Sequence, residues 1–262
     1  MTDPVIAARQ LAGIAPYHLI DVRSEADFAA GHAEAAVRAP VERWIAAAKD
    51  EATFFDNLSF WQQALDDLGL DKETPAVVYD DGRMVEAARV WFVLQYFGVN
   101  VYLLDGGWPA LAEGDTSGAV GRQPDAPRLV ALANAGPVGL SVREQLRERL
   151  DAVQVLDART AAEHQGQDLK NNARGGRLPG AKLVPHAELL RDGFLLPADE
   201  LRRRLHEAGM RDGAPVVTHC DGGGRGALAA IAALRAGYTD VHAYYLSFAD
   251  WAADDSCPIE TP

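Results

Sequence analysis

The chain has almost no cysteine: two among 262 residues, Cys220 and Cys257, 37 positions apart. Neither belongs to a CxxC pair or a His/Cys cluster, so no metal and no bound cofactor is expected. Basic charge is also scarce. With 25 Lys+Arg against 38 Asp+Glu the formal charge is −13, so nucleic acid or an anionic membrane would be repelled over most of the surface. No apolar run approaches the ~18 residues needed to span a bilayer, and the first residues lack the basic start and long apolar run of a secretory signal. A cytoplasmic protein is expected, where a disulfide is disfavoured. Glycine runs followed by Lys-Ser/Thr, and the Gly-x-Gly-x-x-Gly fingerprint, are missing too, which argues against a nucleotide site.

What the chain does have is the segment PVVTHCDGGGRG at 215–226. An apolar β-branched run suggests a buried strand over 215–218, and the alanine-rich stretch 227–234 suggests a helix. Cys220 then sits on the turn between them, followed by Asp221, Gly222, Gly223, Gly224 and Arg225. Thiols react as thiolates, and backbone N–H groups converging at a helix N-terminus stabilise an anion on or near the sulfur. Glycine is costly in ordered structure and is worth having where backbone approaches a ligand or takes positive φ. Cys257, in the polar tail DDSCPIETP, reads as an incidental surface thiol.

The chain also repeats itself. HLIDVRSEADFAAGH at 18–32 returns in outline as QVLDARTAAEHQGQ at 154–167, and PAVVYDDG at 75–82 as PVVTHCDG at 215–222. A repeat this long means duplicated domains. Strands expected over 17–22, 76–79 and 99–104 alternate with helical patterns at 61–70 and 84–98, which indicates α/β architecture: a doubly wound, mainly parallel sheet flanked by helices in each half. The expected organisation is a first domain over 1–120, a linker over 121–137 rich in Gly, Pro and Ala, and a second domain over 138–262. Where the second half presents Cys220, the first offers Asp81, so only one half can do thiol chemistry. The other is expected to buttress it and wall its cleft.

DVR at 21–23, DAR at 157–159, LDGGWPAL at 104–111, GRLPGA at 176–181 and HCDGGGRG at 219–226 together resemble the tandem-domain rhodaneses, sulfurtransferases with an inactive N-terminal and a catalytic C-terminal copy. The resemblance is nearest to bacterial two-domain thiosulfate:cyanide sulfurtransferases and runs from about Tyr17 to Ile259. It implies two duplicated rhodanese-like domains, Cys220 as the nucleophile, and a persulfide cradled by Asp221 to Arg225. Donor and acceptor would be small molecules, with a thiol protein such as thioredoxin as another acceptor. Arg177 stands where a His is common, and Asp221 with the glycines matches neither the thiosulfate-type nor the mercaptopyruvate-type loop of the animal enzymes.

On this reading Cys220 attacks the outer sulfur of thiosulfate, expels sulfite, and passes the sulfur to cyanide or a thiol in ping-pong fashion. 3-Mercaptopyruvate is the alternative donor, and a non-catalytic persulfide carrier or sensor is the alternative of another class. Arg225 either binds the donor's oxyanion or braces the loop through backbone carbonyls. Arg174, Arg177 and Lys182 are either substrate cations or an ordinary basic turn. Asp221 is expected to point to solvent, His219 to be structural, and Asp21, Arg23, Asp157 and Arg159 to anchor strand ends. A phosphatase is disfavoured, because four residues separate Cys220 from Arg225 and phosphatase loops of the related fold are one longer.

Overall fold

The computed structural model describes residues 3–112, 116–121, 131 and 133–261. The chain divides into two compact units, Met1–Pro137 and Val138–Pro262. Most of the segment read as a linker lies outside the described residues.

In the first unit the order is β1 (Val5–Ile6), β2 (Tyr17–Asp21), α1 (Glu25–Ala30), β3 (Val37–Arg38), α2 (Val41–Ala47), α3 (Leu58–Leu68), β4 (Ala76–Tyr79), α4 (Val85–Tyr96), β5 (Val101–Leu104), α5 (Gly107–Leu111) and β6 (Ala119–Val120). Its strands pair as β1-β5-β4-β2-β3, with β6 also on β2, all parallel. The second unit repeats the plan: β7 (Val138–Ser141), α6 (Arg143–Arg149), β8 (Gln154–Asp157), α7 (Ala161–His164), β9 (Lys182–Leu183), a 3₁₀ turn (His186–Leu189), the hairpin β10 (Leu190–Arg191) and β11 (Phe194–Leu195), α8 (Ala198–Glu207), β12 (Val216–His219), α9 (Gly224–Arg235), β13 (Val241–Tyr244) and α10 (Ser247–Ala253). Its main sheet runs β7-β13-β12-β8-β9, again parallel.

Sheets of this kind are covered on both faces, so their central strands carry no polar-out alternation. Every residue of β2, β4, β8 and β12 is buried. The strand ends Asp21 and Asp157 each hold an arginine two residues on. Asp157 takes the Arg159 amide at 3.0 Å and its Nη2 at 2.6 Å, and that Nη2 also donates to the Gly176 carbonyl at 2.8 Å. Asp21, Arg23 and Gly31 repeat the arrangement.

Cys257 is not a surface thiol. It lies 1% exposed in the second core with Leu146, Val155, Tyr244 and Trp251. The polar residues around it are folded back by Arg174, whose guanidinium donates to the carbonyls of Trp251, Ala252, Asp254 and Cys257.

Strand register fixes how the halves correspond. Asp21 faces Tyr79 as Asp157 faces His219, so the residue after Tyr79, Asp80, matches Cys220. The expected counterpart, Asp81, matches Asp221 instead.

Candidate active site

Cys220 follows β12 at the carboxyl end of the sheet, where parallel α/β folds place their ligands. It is 1% exposed. Its carbonyl and that of Asp221 accept the N–H groups of Phe248 and Ala249 in the first turn of α10, at 3.0 Å each. The chain then reverses through Gly223 (φ +99°), a conformation that disfavours a side chain, and the Gly223 N–H donates to Cys220 Sγ at 3.0 Å. Gly224 opens α9. A Cβ added at Gly222 would meet nothing within 4 Å, and no left-handed turn is needed there. The tight place is Gly226, where a Cβ would come within 3.0 Å of the His219 carbonyl carbon.

Ser247 supports Cys220. Its Oγ accepts the Cys220 N–H at 3.1 Å, donates to the Tyr244 carbonyl at 2.8 Å, and lies 3.9 Å from Sγ. The residue is buried and held at φ +63°, a backbone conformation that costs a non-glycine residue on the order of 1 kcal/mol. Sequence reading missed it. Aligning LDGGW with YLSF would have found it, since Trp108 N–H bonds the Asp80 carbonyl as Phe248 N–H bonds that of Cys220, which pairs Gly107 with Ser247.

Arg225 is anchored by a residue that sequence reading did not single out. Its two terminal nitrogens bond the two carboxylate oxygens of Glu163, each at 2.7 Å. Glu163 was not singled out from the sequence, although TAAE at 160–163 carries the signal of a capping box, and the box forms: Thr160 Oγ1 accepts the Glu163 N–H, and Glu163 accepts that of Thr160. Burial pushes the Glu163 carboxyl up, but the Arg225 guanidinium and the Thr160 N–H outweigh it and hold it at about 2. Burial works against the Arg225 charge; Glu163, Cys220 and Asp221 raise it well above its ordinary value.

Asp221 is half-buried rather than turned to solvent, because Asn172 Nδ2 donates to its Oδ1 at 2.6 Å. Of the basic turn, Arg174 is spent on the four carbonyls named above. Arg177 pairs with Glu260 at 3.3 Å. Lys182 lines a separate pocket of about 330 Å³ with Gln154 and Arg211, at the opposite end of β8 from Asp157. His219 is fully buried, its Nδ1 against the Cys220 carbonyl, and burial pushes its imidazole down to about 4. Beneath it Asp157 accepts from His164 at 2.8 Å. Burial would raise the Asp157 carboxyl; the two histidine rings and Arg159 outweigh that and keep it far below the usual range.

The first unit shows what this loop does with an anion built in. Asp80 places its Oδ1 at 2.9 Å from the N–H groups of Gly82 and Met84, and its Oδ2 at 3.2 Å from that of Ala87. A carboxylate thus occupies the turn that in the second unit surrounds a sulfur.

A rhodanese-like domain model matches residues 6–113 and again 142–254. The chain belongs to the rhodanese-like family. A 3-mercaptopyruvate sulfurtransferase of Escherichia coli is 30% identical over 203 residues, which cover 75% of this chain and 72% of that protein. A mitochondrial thiosulfate/3-mercaptopyruvate sulfurtransferase of Arabidopsis thaliana is 28% identical over 220 residues, and the match spans 74% of this rhodanese-like chain but only 58% of the relative's length. The same fold recurs in the anaerobic ergothioneine biosynthesis enzyme of Chlorobium limicola, with a TM-score of 0.82 at 18% identity over 99% of this chain and 70% of that one.

Proposed function

We propose that this chain is a sulfurtransferase that carries sulfane sulfur from thiosulfate, through a persulfide on Cys220, to a thiophilic acceptor such as cyanide or a thiol. The observation that carries the reading is the Gly223 N–H directed at Cys220 Sγ, in a turn whose twin in the first unit is filled by a carboxylate. Such a turn is built to hold an anionic atom at this place. The thiolate attacks the outer sulfur of thiosulfate, an S–S bond forms, the old S–S bond breaks, and sulfite leaves with the electron pair. No proton moves. That suits a loop whose Asp221 is bonded to Asn172 and whose Glu163 is bonded to Arg225.

3-Mercaptopyruvate is the second reading, favoured by charge. Arg225 is committed to Glu163, and Asp221 adds a carboxylate beside the nucleophile, so a dianion meets more repulsion than a monoanion. The test compares kcat/KM for the two donors with cyanide as acceptor, together with mass spectrometry for a gain of about 32 Da, one sulfur atom. Expected are thiocyanate formation and an adduct, both lost in Cys220→Ser. Loading without thiocyanate would make the chain a persulfide carrier, and turnover surviving in Cys220→Ser would overturn the reading.

A further inference from the structure

Unloading a persulfide onto a thiol makes a demand that loading from thiosulfate does not. Ordinary thiols, with pKa near 8.5 or above, arrive mostly protonated at neutral pH and attack only as thiolates. A base at the mouth of the site would supply them. Around Cys220 most titratable groups are already committed: Glu163 to Arg225, Asp221 to Asn172, His164 to Asp157, with His219 sealed in the core.

His186 is the exception. It opens the 3₁₀ turn that packs on α9, the helix whose first turn carries Arg225. Two backbone bonds tie it to the nucleophile's neighbour: its N–H donates to the Ala158 carbonyl at 3.1 Å, and the Ala158 N–H donates to the His219 carbonyl at 2.9 Å. The residue is half-buried. Its Nδ1 is shielded and has no hydrogen-bond partner among the described residues.

Burial, then the Arg225 charge, lowers the imidazole below its ordinary value, and Glu163 and the Ala158 backbone oppose them more weakly. The ring is therefore neutral near pH 7, the form that accepts a proton. Other charges on the elements around it are taken: Glu188 by Arg204, Arg191 by Glu200, while Arg235 of α9 donates to the Leu195 carbonyl. The duplication supplies an internal control. Asp21 faces Arg38 as Asp157 faces Leu183, so three residues on, His186 corresponds to Val41. The unit without a nucleophile has valine there.

We propose that His186 is the base that deprotonates a thiol acceptor at the Cys220 persulfide. The acceptor's S–H proton passes to Nε2. The resulting thiolate attacks the outer sulfur of the persulfide anion left by loading, the S–S bond breaks, and its electron pair returns to Cys220 Sγ as thiolate. A new persulfide leaves on the acceptor, and the imidazolium gives its proton to solvent. This rests on the persulfide reading above and adds the class of acceptor, a low-molecular-weight or protein thiol of ordinary acidity.

The test uses the full chain loaded with thiosulfate, then mixed in single turnover with 2-mercaptoethanol, with thionitrobenzoate, an already ionised thiol, or with sulfite, which carries no proton to remove. General-base catalysis contributes ~100-fold or more. His186→Gln is expected to slow 2-mercaptoethanol at pH 7 roughly 100-fold while changing thionitrobenzoate and sulfite less than about 3-fold. Its residual rate should climb with pH in proportion to free thiolate, where the native rate levels off. An equal loss with all three acceptors would make His186 structural and overturn the proposal, as would an unchanged 2-mercaptoethanol rate in a loaded variant. Failure of the native chain to gain the sulfur adduct would instead overturn the persulfide reading, and this one with it.

Discussion

Replacing Glu163 by glutamine keeps the size of the side chain and leaves an oxygen for the Thr160 N–H, but removes the charge that Arg225 answers with two 2.7 Å bonds. The carboxyl is 1% exposed and its pKa falls from the ordinary 4.5 to about 2. At ~1.4 kcal/mol per unit that shift corresponds to about 3 kcal/mol, in the range for breaking a buried pair. Because the folded value lies below the unfolded one, the stabilisation is complete above about pH 5 and disappears as pH falls through 4.5 toward 2. The second unit supplies its own reporter. Cys257 is 1% exposed and reacts when that unit opens. In a Cys220→Ser background, labelling by 4,4′-dithiodipyridine, which reacts at acid as well as neutral pH, should be roughly 100-fold faster for Glu163→Gln at pH 7. The ratio should shrink toward one near pH 2.5, and a second change, Arg225→Met, should recover part of the loss. A ratio under about 3 at pH 7, or one that does not narrow in acid, would refute the assignment of this energy to the pair.

Two further perturbations separate the roles of the twin turns. Asp80→Ala leaves the Gly82, Met84 and Ala87 N–H groups without their acceptor, and should destabilise the first unit by about 2–3 kcal/mol without touching sulfur loading on Cys220. Formate or sulfate should restore the lost thermal stability in this variant and not in the native chain, as followed by differential scanning calorimetry. Ser247→Ala loses the acceptor of the Cys220 N–H and keeps the left-handed backbone, at about 1–3 kcal/mol, whereas Ser247→Gly also relieves the strain. Urea titration should therefore rank glycine above alanine, and stopped-flow loading with thiosulfate should be slowed in both.

The features legible in the sequence were those written locally. The strand, the glycine run and the alanine-rich helix around Cys220 adjoin one another, and the DVR and DAR motifs mark the repeated strand end. What was hidden depended on residues that meet only in the folded chain. Glu163 lies 62 positions from Arg225, so the arginine looked free. Asp81 looked like the counterpart of Cys220 until the pairing of β2 with β4 set the register one residue back. Cys257 looked exposed because its neighbours are polar, and Arg174, 83 positions away, pulls them inward. Of the glycines, the three in a row drew attention, while Gly226, isolated behind Arg225, also packs against the His219 backbone.

Asp80 has a consequence for how the chain melts. A turn that gathers N–H groups around one point is most stable when a negative atom sits there, and the first unit carries a carboxylate for it in its own side chain, although burial outweighs the N–H groups and raises that carboxyl. The second unit acquires its full complement only when Cys220 bears a charged sulfur. By linkage, whatever favours the loaded form also favours the folded form, so the melting temperature of the second unit should rise with its sulfur content while that of the first stays fixed. The second unit is then a gauge of its own sulfur content, with the first unit as the built-in reference.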